Sequence, residues 1–378
     1  MKSPICEMLG IEFPLLAFSH CRDVVSEVSR AGGLGVFGAV MLPPDRLEEE
    51  LSWIDDHVDG KPYGLDLIVP NKFAGKGEKV TREQMVAAVP DEHKNFAAEV
   101  LGRYDIDASD LERARSEGGT FGDNLQESAA AASMKVAFSH PIKLIANALG
   151  VPPQIMLDMG KKHDVAVAAL VGAKEHAIRQ VKAGVDILVV AGGEAGGHCG
   201  DVSTIVLVPE VHEAIQPYGD TPILAAGGIV TGRQMAGCMA MGAAGAWTGS
   251  VWLTTHEAET SPVVKEKMIA AGSRDTVRSR ARTGKHSRQL KSPWTDAWEN
   301  EGPTPLPMPL QSLVSEPALR TVDKLAEGGH EGAKELATYW VGQGVGLMNQ
   351  SQSVRSVVQE FKEDFLRAYE RLADSMSE

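Results

Sequence analysis

Five glycines, a glutamate and a histidine follow an apolar run in the segment Asp186-Ile-Leu-Val-Val-Ala-Gly-Gly-Glu-Ala-Gly-Gly-His-Cys-Gly200. A buried strand ending in such a loop lets backbone N–H groups come close to a ligand while one imidazole faces the same space. His198 is therefore the first candidate for catalysis. A neutral imidazole can take a proton from a carbon acid, or it can hydrogen-bond an anionic oxygen. If the substrate arrives already ionised no base is needed, and the orienting role is preferred. Two later glycine-bearing segments extend the pattern: Ala225-Ala-Gly-Gly-Ile229, with Gly227 and Gly228, and Trp247-Thr-Gly-Ser250, with Gly249. Glycine removes the Cβ that would block a phosphate oxygen, and the Thr248 and Ser250 hydroxyls could donate to one.

These loops must be carried by strands. Eight short apolar runs, at residues 13–18, 34–39, 63–69, 142–148, 164–170, 186–191, 222–226 and 245–250, alternate with segments of helical periodicity. Helices predicted over 174–183 and 232–241 end in glycines suited to capping, Gly184 and Gly242, as does the segment before Gly32 or Gly33. Continuous apolar runs suit parallel strands covered on both faces. Eight βα units in about 250 residues predict an α/β fold, a (β/α)8 TIM barrel with its site at the strand C-terminal ends. A doubly wound open sheet is the alternative. The last two βα loops of such barrels frequently hold a phosphate.

The expected organisation is a barrel over 1–252, an added lobe over its mouth at 253–339 and a C-terminal segment, 340–378, that returns to the barrel. A charged stretch over about 71–141, broken at Gly118-Gly119, predicts a helical insertion. Residues 302–309 hold four prolines and must be extended or turn-like. In the tail, Val354, Val357, Val358, Phe361, Phe365 and Leu366 are spaced to pack a last helix on the body.

Composition narrows the function classes. Apolar residues at 43% and charged residues at 23% are normal for a globular protein, and the net charge of −14 disfavours nucleic-acid and anionic membrane partners. No run of about 18 apolar residues occurs that could span a bilayer. The start lacks an apolar signal core, and the four cysteines show no paired metal spacing, so a reducing cytoplasm and no metal are expected. The insertion could restrict the pocket or form a homo-oligomer interface. His20 could face the mouth, whereas His140 falls nearer the opposite end. Glu194 is expected to fix its loop, Cys199 to be a simple loop cysteine, and Arg288 and Lys285 to be solvated or to reach substrate.

The run Gly193-Glu-Ala-Gly-Gly-His-Cys-Gly200, with Pro222-Ile-Leu-Ala-Ala-Gly-Gly-Ile229 and Trp247-Thr-Gly-Ser250, resembles the FMN-dependent nitronate monooxygenase (2-nitropropane dioxygenase) family. The resemblance extends to Phe13-Pro-Leu-Leu-Ala17, Ala31-Gly-Gly-Leu-Gly35, Lys61-Pro-Tyr-Gly-Leu-Asp-Leu67, Thr283-Gly-Lys-His-Ser-Arg288 and Gly342-Gln-Gly-Val-Gly346. It implies a TIM barrel with a smaller lobe, non-covalent FMN, and oxidation of alkyl nitronates by O2. His198 then matches the active-site histidine. Ala17, Phe18, Asp66, Ala191, Gly196, Gly197, Gly227, Gly228, Trp247, Thr248, Gly249 and Ser250 fall at or beside the FMN positions. Ala191 stands where many members carry glutamine and Asp66 where many carry asparagine, so a carboxylate at 66 would either alter the flavin's potential or demand protonation. Phe18-Ser-His-Cys21 replaces the usual residues after the first strand. An FMN-dependent NAD(P)H reductase of quinones or enoyl thioesters is the second functional reading, and a non-catalytic flavin-binding protein the third.

Overall fold

A computed structural model describes residues 1–40, 42–69, 81–117 and 127–376. Eight parallel strands close on themselves: β1 (Leu15–Ser19), β2 (Leu34–Gly38), β3 (Tyr63–Leu67), β4 (Leu144–Asn147), β5 (Ala166–Val171), β6 (Ile187–Ala191), β8 (Ile223–Ala226) and β9 (Gly245–Thr248). The register Leu15↔Ala246, Leu16↔Trp247 and Ala17↔Thr248 closes the ring and excludes the open sheet. Each strand falls within an apolar run read from the sequence, bar Ser19 and Val171, one residue beyond theirs. Parallel strands buried on both faces need apolar residues at every position.

Period-2 alternation divides these residues into two cores. Leu16, Leu34, Val36, Leu144, Ala146, Ala168, Ile187, Val189, Leu224, Ala226 and Trp247 fill the barrel. Their neighbours Leu15, Ala17, Phe37, Leu65, Ile145, Leu188 and Ala225 face the surrounding helices. Ile5 and Leu9, from the opening helix Pro4–Leu9, join the inner core. The predicted helix Lys174–Ala183 forms over those residues, and Gly184 caps it with φ 90°. Of the pair Gly32 and Gly33, it is Gly32 that adopts positive φ, 94°.

The insertion is helical where it is described, with helices Arg82–Ala87, Asp91–Gly102, Leu111–Glu117 and Glu127–Ala137. Thr81 starts the first with a reciprocal capping box to Gln84. Residues 70–80 and the expected break at 118–119 lie outside the described residues. The proline-dense segment is irregular, as expected.

The last helix, Val354–Ser375, packs on the barrel helix Gly232–Ala240. The approach is close enough that a Cβ on Gly232 would lie 2.0 Å from the Phe361 carbonyl oxygen. Asp364 locks the pair by accepting from the Arg233 backbone N–H at 2.7 Å and from its guanidinium. Phe365 meets Phe13 edge-on at 5.8 Å. Leu366, expected to pack inward, is 57% exposed. The buried stripe runs through Phe361, Asp364, Phe365 and Ala368, and Leu366 falls on the helix face turned away from it.

Three further strands, absent from the sequence reading, form a small antiparallel sheet: β10 (Thr276–Ser279), β11 (Ser287–Leu290) and the two-residue β7 (Gly197–His198). The loop carrying the candidate histidine is thus an edge strand of the added segment's sheet.

Candidate active site

The strand C-termini present two unlike halves to the barrel mouth. On β1 and β9 the inward residues are aromatic: Phe18 and Trp247 stack at 6.2 Å with planes 24° apart. His20, just past β1, meets Phe18 edge-on at 5.1 Å, and its Nδ1 lies 2.7 Å from the Gly38 carbonyl oxygen. On β4, β6 and β8 the inward residues near this end include Ala146, Ala191 and Ala226, while β5 ends in the larger Leu170. The aromatic pair on β1 and β9 thus stands opposite mostly small side chains.

Asp66 lies between these halves. Leu65 and Leu67 face the helices, so alternation turns Asp66 inward, at 2% exposure. Its Oδ1 has no partner among the described residues. Burial alone raises its pKa well above the usual carboxylate range, so the group is a neutral acid with unused hydrogen-bonding capacity.

The histidine loop is held from three sides. Glu194 accepts from the Thr204 backbone N–H at 2.9 Å and from its hydroxyl at 3.0 Å, the loop-fixing role expected of it. Arg288 donates from Nε and Nη2 to the Gly193 carbonyl oxygen at 3.0 and 2.8 Å, so it clamps the loop rather than standing solvated. The Gln343 backbone N–H donates to the Glu194 carbonyl oxygen at 2.9 Å, and that of Gly342 donates to Ser250 Oγ at 2.9 Å. Residues 341–346 therefore join the histidine loop to the end of β9. A Cβ on Gly196 would lie 2.8 Å from Gly342 N, and one on Gly342 2.5 Å from the Glu194 carbonyl oxygen. Gly196 is small to admit this segment.

His198 pairs with Ser287 and Gly197 with Arg288. His198 keeps an exposed edge at the rim while its Nε2 turns toward the added segment, 2.8 Å from Thr283 Oγ1. Loss of water to the surrounding loops, and secondarily the Lys285 ammonium, lower its pKa below the ordinary imidazole value. The ring is neutral at pH 7. Cys199 beside it has its thiol pKa raised by burial, which suits an inert loop cysteine.

Across the mouth, Gly227 and Gly228 take φ of 101° and 72°. A Cβ on Gly228 would lie 3.0 Å from Glu194 Cβ, while one on Gly249 would meet nothing within 4 Å. Gly197, with φ 73°, likewise opens onto free space. Ser250 begins the short 3-10 helix Ser250–Thr254 and keeps its own proton to donate. Two expected contacts are corrected. The Thr248 hydroxyl points outward, donating to the Leu16 carbonyl oxygen at 3.0 Å and accepting from Trp252 Nε1 at 3.0 Å, so it is not free for a phosphate. Ala17 also faces the helix layer, and only its backbone reaches the mouth. In each case strand alternation places the neighbour, Trp247 or Phe18, inside.

His140 stands away from this constellation: its Nδ1 lies 2.7 Å from Asp55 Oδ2, beneath the helix Pro44–His57. Two clefts of about 350 and 410 Å³ lie on the insertion and between it and the helix Pro293–Asn300, and neither includes a mouth residue. Thr283 and residues 341–346 could be tied to the site only in three dimensions. Both belong to segments that the family resemblance singled out, and that was the available signal.

The sequence profile of the nitronate monooxygenase family matches residues 2–364. A Mycobacterium tuberculosis protein named "Putative monooxygenase Rv1533" is 50% identical over 370 residues, covering 97% of each chain. A Staphylococcus saprophyticus protein named "Probable nitronate monooxygenase" is 26% identical over 383 residues, covering 96% of this chain and 98% of its own. Among solved structures, a nitroalkane oxidase from Streptomyces ansochromogenes superposes with a TM-score of 0.78 at 21% identity, over 97% of this chain and 99% of its own. FabK from Thermotoga maritima superposes with a TM-score of 0.71 at 24% identity over the whole of both chains. The protein is an enzyme, an oxidoreductase that uses a flavin. Its whole-length match, joined to a histidine held at the mouth of a closed barrel, establishes that the chain belongs to the nitronate monooxygenase family.

Proposed function

We propose that the enzyme oxidises alkyl nitronates with O2 and that its flavin is non-covalent FMN. The observation that carries this reading is His198, held by a strand pairing beside a barrel mouth where Phe18 and Trp247 stand opposite Ala146, Ala191 and Ala226. A nitronate is already ionised, so the site needs a hydrogen-bond donor for its oxygens and no strong base.

The residues present fit FMN. Gly227, Gly228, Gly249 and Ser250, with the backbone of Trp247 and Thr248, would hold its phosphate side. Phe18, Asp66, Ala191, Gly196 and Gly197, with the backbone of Ala17, would border its ring. The buried, unpartnered Oδ1 of Asp66 is the strongest sign, because an orphaned polar atom costs about 1–3 kcal/mol unless a ligand satisfies it. Bound FMN supplies the redox chemistry, accepting electrons from the substrate and returning them to O2. Phe18 and Trp247 exclude water, and the Arg288 and Glu194 contacts keep the histidine loop in place.

An anaerobic absorbance titration tests the reading. Bleaching of the flavin by propionate 3-nitronate, with colour restored by air, is expected, and mass spectrometry of the heat-released cofactor should return FMN. Bleaching by NADH or NADPH alone would overturn it in favour of a reductase.

A further inference from the structure

We propose that Asp66 grips the flavin as a neutral carboxylic acid, donating its proton to an acceptor atom of the ring, so that cofactor and proton are bound together and alkali releases both. The donor role needs only a flavin; that the flavin is FMN rests on the function proposed above.

Polar side chains that brace the strand ends of this barrel find their partners within the chain. Asn147, fully buried at the end of β4, accepts from the Val69 backbone N–H at 2.9 Å and donates to the Leu149 carbonyl oxygen at 3.1 Å. Glu194, past β6, is likewise committed to Thr204. Asp66 is different. It lies on the strand next to Asn147 at 2% exposure, and its Oδ1 has no partner among the described residues. The residues registered beside it, Gly38 on β2 and Ala146 on β4, have no polar side-chain atom to offer. Its backbone carbonyl is spent on the Ala39 N–H at 3.0 Å. With Leu65 and Leu67 facing the helices, the carboxyl group points into the mouth with hydrogen-bonding capacity that the fold does not use.

Its surroundings select the neutral form. An ionised carboxylate at this depth needs a cation, and no charged group among the described residues bears on its protonation; loss of water alone acts on it. On the β2 side the titratable neighbour is His20, whose Nδ1 is turned to the Gly38 carbonyl oxygen at 2.7 Å, and on the β4 side Ala146 does not titrate. A carboxylic acid has the O–H donor that a carboxylate lacks. The edge of an isoalloxazine ring carries carbonyl and ring-nitrogen acceptors, so the acid complements it and the carboxylate would repel it. Bound flavin therefore holds the proton in place, and by linkage the proton holds the flavin.

Infrared difference spectroscopy and flavin affinity test this together. The holoenzyme at neutral pH should show a carboxylic-acid C=O band that is absent from Asp66→Asn and that shifts between apoprotein and holoenzyme as the O–H takes the ring as its partner. The Kd for FMN, read from quenching of flavin fluorescence above about pH 7.5, is clear of the ordinary histidine range. There it should rise for the wild type relative to D66N by up to about tenfold per pH unit as the acid of the apoprotein ionises. Asparagine keeps an N–H donor and cannot ionise, so D66N should follow only the flavin's own chemistry. Calorimetry in two buffers of different ionisation enthalpy should find proton uptake on FMN binding in that range for the wild type alone. A holoenzyme without the acid band, a band that is the same with and without flavin, or a wild-type affinity profile parallel to that of D66N over the range where the band titrates, overturns the proposal. Should the band behave as expected while nitronates are not oxidised, or while the heat-released cofactor is a flavin other than FMN, the acid donor stands and the function proposed above is lost.

Discussion

Water loss around His198 and the Lys285 ammonium act in the same direction, both disfavouring the imidazolium, and desolvation is the larger. Lys285→Met should therefore move the His198 titration upward while leaving it below the ordinary imidazole value, as followed by NMR. His198→Ala should lower kcat/KM for nitronate about 100-fold, the usual loss when one donor to a reacting anion is removed. Asp66 works in the opposite sense. Its folded pKa lies above its unfolded value, so the folded state binds the extra proton and stability falls as pH rises from the unfolded carboxylate value toward the folded one. Each pH unit in that window costs up to about 1.4 kcal/mol. Asp66→Asn should consequently stabilise the apoprotein more at pH 8 than at pH 5, measured as the change in melting temperature at each pH.

At the scale of elements, three segments distant in sequence meet at the histidine loop: β11 through Arg288, the helix begun by Thr204 through Glu194, and residues 341–346 through backbone contacts. Gly342 is the tightest joint. A methyl group there would enter the Glu194 carbonyl oxygen at 2.5 Å, and overpacking of this kind costs about 1–3 kcal/mol. Gly342→Ala should reduce flavin retention on gel filtration and lower kcat/KM at least about tenfold. The far-UV circular dichroism should stay unchanged, because no barrel strand is touched. A variant with full flavin content and wild-type kinetics would show that the segment does not set the loop.

On the scale of the whole molecule, the last helix is fastened by Asp364, whose pKa is lowered chiefly by its hydrogen bond from Arg233. This carboxylate stabilises the fold above its unfolded pKa, and the contribution is lost as pH falls through its folded value. Asp364→Asn should cost about 1 kcal/mol near pH 7, given that Arg233 is largely solvated, and the deficit should vanish in acid. Chemical denaturation at pH 7 and pH 3 would show it. No helix among the described residues is long and apolar enough to cross a membrane.

Much of the barrel was legible in the sequence because parallel strands buried on both faces must be apolar at successive positions, and because Gly32, Gly184 and Gly242 mark helix ends by needing positive φ. His198 and the glycine loops were legible for a related reason, since a titratable or Cβ-less residue at a barrel strand's C-terminal end has few other uses, whereas Asp66 was marked only by the family resemblance. The sequence by itself determined the fold class and the type of chemistry. Tertiary structure alone decided that Thr248 and Ala17 turn their side chains outward, since alternation shows which face is inside only once the register is known. It likewise decided that Arg288 clamps a loop, that Thr283 meets the imidazole 85 residues away, and that Leu366 is left without a surface. Those outcomes depend on which distant segments share a sheet or a helix contact, and local propensity carries no record of that.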